Sequence, residues 1–238
     1  MTPAALHIAS VSKQYGGLRP LRIEHLTVAP GDQVAIVGLD AAAAEMVTAL
    51  VTGATLPDAG TVSIFGRSTA DVHDSGEWLA FIDQIGVVSE RSVLLESLSV
   101  VQNLSMPFTL EIEPPPDSVR IAAIALAREV GVPEDAADAP ITRLDRANQI
   151  RVRLARALAL EPRLVVLEHP SAYVERSHAQ AIAADLKAIA SRRRLATLLL
   201  TADAQFASGA ATRVLKWEPA TGKLRESTGW FFRRNVCL

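Results

Sequence analysis

The sequence predicts an α/β fold, and three observations carry that reading. Short β-branched runs alternate with longer Ala/Leu stretches of helical period along the chain. The run Gln33-Val34-Ala35-Ile36-Val37-Gly38 is continuously apolar, the pattern of a strand buried on both faces in a parallel sheet. Aromatic residues are only 5% and alanine is abundant, which suits a helix-rich chain better than an all-β sandwich.

Each element follows in order. Leu6 to Val11 and Leu21 to Val28 read as strands, the second followed by the turn Pro30-Gly31-Asp32. After the apolar strand ending at Gly38, a helix runs from about Ala42 to Thr52 and stops at Gly53. Thr61 to Gly66 and Ile85 to Val88 are strands. A helix begins at Val100 and is broken by Pro107. The run Pro114-Pro115-Pro116 marks a linker or the start of a helix spanning Asp117 to Val130, closed by Gly131. Asn148 to Leu160 and His178 to Ser191 are helical, Leu164 to Leu167 is a buried strand, and Ala196 to Thr201 and Arg213 to Trp217 complete the strands. The expected organisation is one domain over residues 1–228, with a helical lobe at about 91–160 and a tail at 229–238.

Composition excludes several classes. With 49% hydrophobic and 21% charged residues, 238 residues bury one sizeable core. Lys+Arg of 24 against Asp+Glu of 26 gives a net charge of -2, without the basic footprint of a nucleic-acid binder. The single cysteine, Cys237, excludes an internal disulfide framework and fits a reducing compartment. No run of eighteen apolar residues occurs and the first residues lack a signal-like pattern, so a cytoplasmic chain is expected.

The frame of Tyr15, Pro30-Gly31-Asp32, Val34 to Gly38, Pro57-Asp58-Ala59-Gly60-Thr61-Val62 and Phe65-Gly66 resembles the opening of ABC-transporter ATP-binding domains. Arg151 to Pro162 followed by Leu164 to Leu167 is similar to that family's stretch from signature helix to Walker B strand. The resemblance covers roughly residues 6 to 225. It implies a P-loop-NTPase-like core, in which a mostly parallel sheet carries an antiparallel β subdomain and a helical lobe.

Carried over position by position, the family's chemistry fails almost everywhere. In the phosphate-binding loop after Gly38 and Asp40, Ala41 and Ala43 replace glycines, Ala44 stands in place of the Lys, and Glu45, followed by Met46, stands where a magnesium-binding hydroxyl is expected. Alanines disfavour the positive φ angles of a phosphate-cradling nest, and Glu45 places a negative charge where an anion would sit, near enough to cap the helix itself. Glu90 stands at the Q-loop Gln, and Leu144-Asp145-Arg146-Ala147-Asn148 replaces the Leu-Ser-Gly-Gly-Gln signature. Glu168 and His169 fall at the metal-orienting Asp and the water-activating Glu, Glu175 at the D-loop Asp, and Ala202 at the switch His. No catalytic residue is therefore expected, and no cofactor, with ATP and magnesium reserved for the alternative of residual binding. Tyr15, aligned with the adenine-stacking aromatic, reads more readily as packing. Glu45, Glu168, His169 and Asp203 have no linear metal-motif spacing, and no metal is expected.

What the resemblance leaves is docking. In the family, the region after the Q-loop and the helical lobe receive membrane permease subunits. Here that region offers Glu90, Val93, Leu94, Leu95 and Leu98, with Met106 and Phe108 in a stretch similar to importers and lipid-trafficking members. The expected function is a pseudo-ATPase subunit at the inner face of the cytoplasmic membrane. It would act as a structural or regulatory component of a transport complex, one for a lipid or other hydrophobic substrate among the candidates. Its partners would be permease subunits and a second cassette, identical or not. The alternatives are an ATP-binding subunit with weak activity, and a soluble module that binds another ligand in the relic pocket.

Overall fold

The computed structural model describes residues 3–17 and 19–227. Two sheets and seven α-helices organise them. In chain order the elements up to the first long helix are β1 (Leu6–Lys13), β2 (Leu21–Val28), β3 (Gln33–Val37) and α1 (Ala41–Val51). Then come β4 (Ala59–Ile64), β5 (Arg67–Ser68), α2 (Ser75–Ile82), β6 (Ile85–Val88), α3 (Val100–Ser105) and α4 (Asp117–Glu129). The chain continues through α5 (Arg146–Leu158), β7 (Leu164–Glu168), α6 (Arg176–Arg193), β8 (Ala196–Thr201), α7 (Ala204–Ala210), β9 (Arg213–Glu218) and β10 (Lys223–Glu226).

The larger sheet has six strands in the order β10-β9-β3-β8-β7-β6. From β9 to β6 all neighbours are parallel, and β10 alone runs antiparallel, on β9. Its central strands β7 and β8 are buried at every residue, which is why they read as unbroken apolar runs rather than alternating ones. Alternate residues feed two cores. Val34, Ile36, Val166 and Leu198 face the layer made by α1 and the smaller sheet, whereas Ala35, Val165, Leu167 and Leu199 face α5, α6, α7 and the lobe. The smaller sheet, in the order β2-β1-β4-β5, is antiparallel, and β2 shows the one-sided pattern expected of it, with Leu21 and Ile23 buried and Arg22 and Glu24 exposed.

Several boundaries differ from the sequence expectation for identifiable reasons. The strand expected at Thr61 to Gly66 lies at Ala59–Ile64, because Phe65 and Gly66 turn the chain with φ of 51° and 84°. The helix expected from Asn148 begins at Arg146, because Asp145 caps it by accepting from the Asn148 N–H at 2.7 Å. Strands do not end with Arg213–Glu218, since β10 returns along it. Two short helices, α2 and α7, were absent from the expectation. Asp74 and Asp203 cap them, and Asp203 accepts from both the Gln205 and Phe206 N–H groups at 3.0 Å. In the arginine run 192–194 at the end of α6, Arg193 folds back and forms a bidentate pair with Glu129. The tail expected at 229–238, with Cys237, lies outside the described residues.

The lobe is fixed to the sheet by close approach. A Cβ on Gly86 of β6 would lie 2.6 Å from the Ala157 carbonyl of α5, so only glycine lets this helix seat so near the strand. Asn103 of α3, fully buried, then accepts from the Leu95 N–H at 2.8 Å and donates to the Leu95 carbonyl at 3.1 Å. These contacts fix the segment between β6 and α3.

Candidate functional site

The candidate site lies at the C-terminal edge of the parallel strands, the edge at which open α/β sheets bind ligands. There Gly38 follows β3, Ser89-Glu90-Arg91 follow β6, His169 follows Glu168 at the end of β7, and Ala202 follows β8.

After Gly38, whose φ is 103°, Leu39 turns inward to 1% exposure and Asp40 starts α1. The Asp40 carboxylate accepts from the Ala43 N–H at 2.8 Å, and its carbonyl accepts from the Ala44 N–H at 2.9 Å. The helix thus starts at Ala41, so residues 41–43 are wound into its first turn rather than opened into a loop. Ala43 and Ala44 are fully buried against the core. Glu45 does not cap the helix, as expected from its place near the N-terminus: Asp40 holds that role and Glu45 sits in the next turn. Met46 packs partly against the core, and the Tyr15 ring lies over Gly17, close enough that a Cβ there would meet it at 2.8 Å. Partial burial, and then the charge of Asp40, raise the Tyr15 hydroxyl above its ordinary pKa.

Glu45 instead meets Arg91. One guanidinium nitrogen donates to Glu45 Oε1 at 2.5 Å and the other to Glu168 Oε1 at 2.6 Å. Glu168 is 9% exposed, whereas Arg91 and Glu45 are about half exposed at 50% and 52%. The topology brings them together, because β6 and β7 are parallel neighbours with Val88 opposite Leu167, and α1 packs over β7. A second pairing lies beside the first. Arg153 of α5, 7% exposed, donates to both Glu90 carboxylate oxygens at 3.2 and 3.1 Å and to the Ser92 carbonyl at 3.2 Å.

His169 takes a left-handed backbone with φ of 43°, and its Nε2 is buried without a hydrogen-bond partner. Ala202 is exposed, and the neighbouring Asp203 is engaged as the α7 cap. Glu175 precedes α6 without a side-chain capping bond. Among the described residues, no three His, Cys, Asp or Glu side chains are gathered so as to hold a metal. At the start of α5, Asp145 is the cap, Arg146 donates to Gln149 Oε1 at 3.3 Å, and Ala147 is buried.

The segment after β6 does not present all the side chains expected of it. Leu94 and Leu98, named as partner-facing, are each 6% exposed and belong to the core under the lobe. Val93 at 62%, Leu95 at 40%, Met106 at 37% and Phe108 at 38% are exposed. Two hollows of about 270 and 280 Å³ share Ile82, Val87 and Ser92 and so adjoin as one groove, the first part between α2 and α5 and the second between α2 and α1. Pro107, Arg153, Arg156, Ala157 and Leu160 line one side, and Thr48, Thr52, Trp78 and Arg91 the other. Arg91, Arg153 and Arg156 were missed as site residues. The available signal was charge: two acids at Glu45 and Glu168 on adjacent elements demand a cation between them.

Comparison with known proteins agrees with this architecture. The family model described as ABC transporter matches residues 21–172. The Fe(3+) ions import ATP-binding protein FbpC 2 of Rhodococcus jostii (strain RHA1) is 33% identical over 213 residues, which is 88% of this chain and 58% of that protein. The ribose import ATP-binding protein RbsA 2 of Burkholderia cenocepacia (strain HI2424) is 32% identical over 190 residues, 76% of this chain and 36% of that protein. The chain therefore spans little more than half the length of the first of these relatives and about a third of the second. Among solved structures, cbiO1 from Clostridium perfringens, part of the ABC transporter complex cbiONQ, superposes with a TM-score of 0.79 at 18% identity, over 93% of this chain and 87% of that one. A dimeric ATP-binding cassette in a post-hydrolysis state, bound to ADP and Pi, gives 0.75 at 22% identity, over 94% and 98% of the two chains. With the fold and a family match over more than half of its residues in agreement, the chain belongs to the ABC transporter family.

Proposed function

We propose that this chain is a non-hydrolysing cassette, a pseudo-ATPase that serves as a structural or regulatory subunit of a membrane transport complex. The observation that carries the reading is Arg91 held between Glu45 and Glu168. In a working site those two positions serve a magnesium ion and the phosphates it bridges. Here a guanidinium from the same chain neutralises both acids. Ala44 offers no cation to a triphosphate, and the helical turn at residues 41–43 offers no nest of N–H groups. His169 Nε2 is buried without a hydrogen-bond partner, and among the described residues no cluster of His, Cys, Asp or Glu is arranged to hold a metal beside it. The residues present do not fit MgATP, and no hydrolytic step is assigned to them.

The role that remains is docking through the groove between α2 and α5 and the exposed Val93, Leu95, Met106 and Phe108. No helix among the described residues is long and apolar enough to cross a membrane, so a membrane subunit would supply the span. In this reading the chain lies at the cytoplasmic face, paired with a second cassette of the same or a different kind. The two relatives carry names with different cargoes, Fe(3+) ions and ribose, and no cargo is transferred from them.

The test is calorimetric titration of the purified chain with ATP, with and without magnesium, beside a turnover assay. The expected outcome is no saturable binding at about 1 mM, the upper end of ordinary enzyme affinities for their substrates. Saturable magnesium-dependent binding would overturn the reading in favour of an ATP-binding subunit with residual activity. A co-purified small molecule in place of nucleotide would favour a module that binds another ligand.

A further inference from the structure

The outer face of the smaller sheet carries a side-chain cluster that neither docking nor the relic pocket uses. On β1 and β2 the apolar residues Leu6, Ile8, Leu26 and Val28 are buried, so their neighbours His7, His25 and Thr27 are turned to the opposite face. The register sets His7 directly opposite Thr27, and His25, two residues before Thr27 on the same strand, is diagonal to His7. His7 Nδ1 and His25 Nε2 each lie 3.2 Å from Thr27 Oγ1, and the two rings meet edge to face with centroids 5.2 Å apart. His7 is half-buried and His25 is exposed.

These separations are those of ligands around one metal ion. Two ligands about 2.1 Å from a tetrahedral metal stand about 3.4 Å from each other, and two imidazoles bound through nitrogen then hold their centroids about 5 Å apart. Two ring nitrogens and one hydroxyl oxygen are thus placed as three corners of a coordination shell, and the exposed face leaves the fourth to water. The Thr27 hydroxyl has a single proton and can donate to only one of the rings, whereas a cation accepts a lone pair from both. Imidazole nitrogen suits zinc, copper or nickel, and magnesium or calcium would ask for oxygen ligands.

We propose that His7, His25 and Thr27 form a site for one divalent transition-metal ion of the zinc class, joining β1 to β2. The site lies on a different sheet from Arg91, Glu45 and Glu168 and does not depend on whether the chain binds nucleotide. Its affinity is modest, because none of the three ligands is a carboxylate or thiolate and the Arg213 guanidinium, which donates to the Thr27 carbonyl, opposes a cation there. A dissociation constant of about 1–100 μM is expected, weaker than that of a structural site with four strong ligands.

Isothermal titration of the untagged full chain with Zn(II), at about pH 7.5 where free histidine is mostly neutral, tests the site. One equivalent should bind in that range. His7→Gln and His25→Gln should each weaken it about tenfold or more, and His73→Gln and His178→Gln should leave it unchanged. Melting of the metal-free variants checks that they fold. A second measurement needs no variant: substoichiometric Cu(II) added to wild type should broaden the imidazole NMR signals of His7 and His25 ahead of those of His73, His169 and His178.

The inference is overturned if Zn(II) binds no more tightly than about 100 μM, if binding survives both His7→Gln and His25→Gln, or if it is lost only with Cys237→Ser. Broadening that begins at another histidine would overturn it as well.

Discussion

Replacing Arg91 by Met keeps the aliphatic stem and deletes the cation, which isolates the electrostatic role of the bridge. Glu168 is then left 9% exposed with its only ion-pair partner among the described residues gone. Charge-assisted hydrogen bonds to a buried group contribute about 1.5–3 kcal/mol. The half-exposed pairing with Glu45 adds no more than about 1 kcal/mol, since solvent screens it. We expect Arg91→Met to destabilise the chain by about 2–3 kcal/mol, equivalent to a fall of roughly 4–12 °C in Tm for a chain of this size.

Urea denaturation of wild type, Arg91→Met, Glu168→Gln and the double variant separates this from ordinary loss of packing. If the cost is an uncompensated carboxylate, the double variant recovers part of the loss, with a coupling of about 1 kcal/mol or more. The penalty should also persist in high salt, because a mostly buried carboxylate is screened less than a surface one. Single variants within about 0.5 kcal/mol of wild type, and strictly additive, would refute the bridge as a structural element.

Two further outcomes follow from the same geometry. Asp40→Ala should cost about 1 kcal/mol, the usual worth of an N-cap, with a Tm decrease of a few degrees, because the carboxylate serves the Ala43 N–H of α1. Glu129→Gln should cost about 1.5–3 kcal/mol at neutral pH through loss of the bidentate pair with Arg193, whose two bonds are 2.7 and 2.5 Å. The Arg193 hydrogen bond is the main reason that the Glu129 carboxyl titrates below its ordinary value. A depressed folded pKa gives stability that is present above the unfolded value of about 4.3 and lost as pH falls through the lower folded one. The gap between wild type and Glu129→Gln should therefore be full near pH 7 and close below about pH 4, as read by urea melts at each pH.

The parallel strands were legible because burial on both faces leaves an unbroken apolar run, as in Leu164–Glu168 and Ala196–Thr201. β10 was not, since Lys223–Glu226 contains one apolar residue and takes its place only by pairing with β9. The acids of the site were visible by register, but their cation was not. Arg91 lies 46 residues from Glu45 and 77 from Glu168, and only the adjacency of β6 and β7 closes that distance. Leu94 and Leu98 could not be separated from Val93 and Leu95 for a different reason. The segment is a turn without helical or strand period, and Asn103, by holding both polar backbone groups of Leu95, fixes which leucines face inward.

An edge of a parallel sheet built to hold a charged ligand leaves polar groups that only the ligand satisfies, and burying such groups unpaired is costly. In this chain most of those groups are answered from within, with His169 Nε2 the exception. Asp40 takes an N–H of the first turn of α1, Asp145 one of α5, Arg91 neutralises Glu45 and Glu168, and Arg153 neutralises Glu90. Each pairing satisfies a charge that would otherwise be left without a partner in the folded chain. The arginines also tie the segment after β6 to both the sheet and α5, through Arg91 on one side and Arg153 and Arg156 on the other. On the proposed function, these three arginine contacts supply the fixed docking surface that a non-hydrolysing subunit needs.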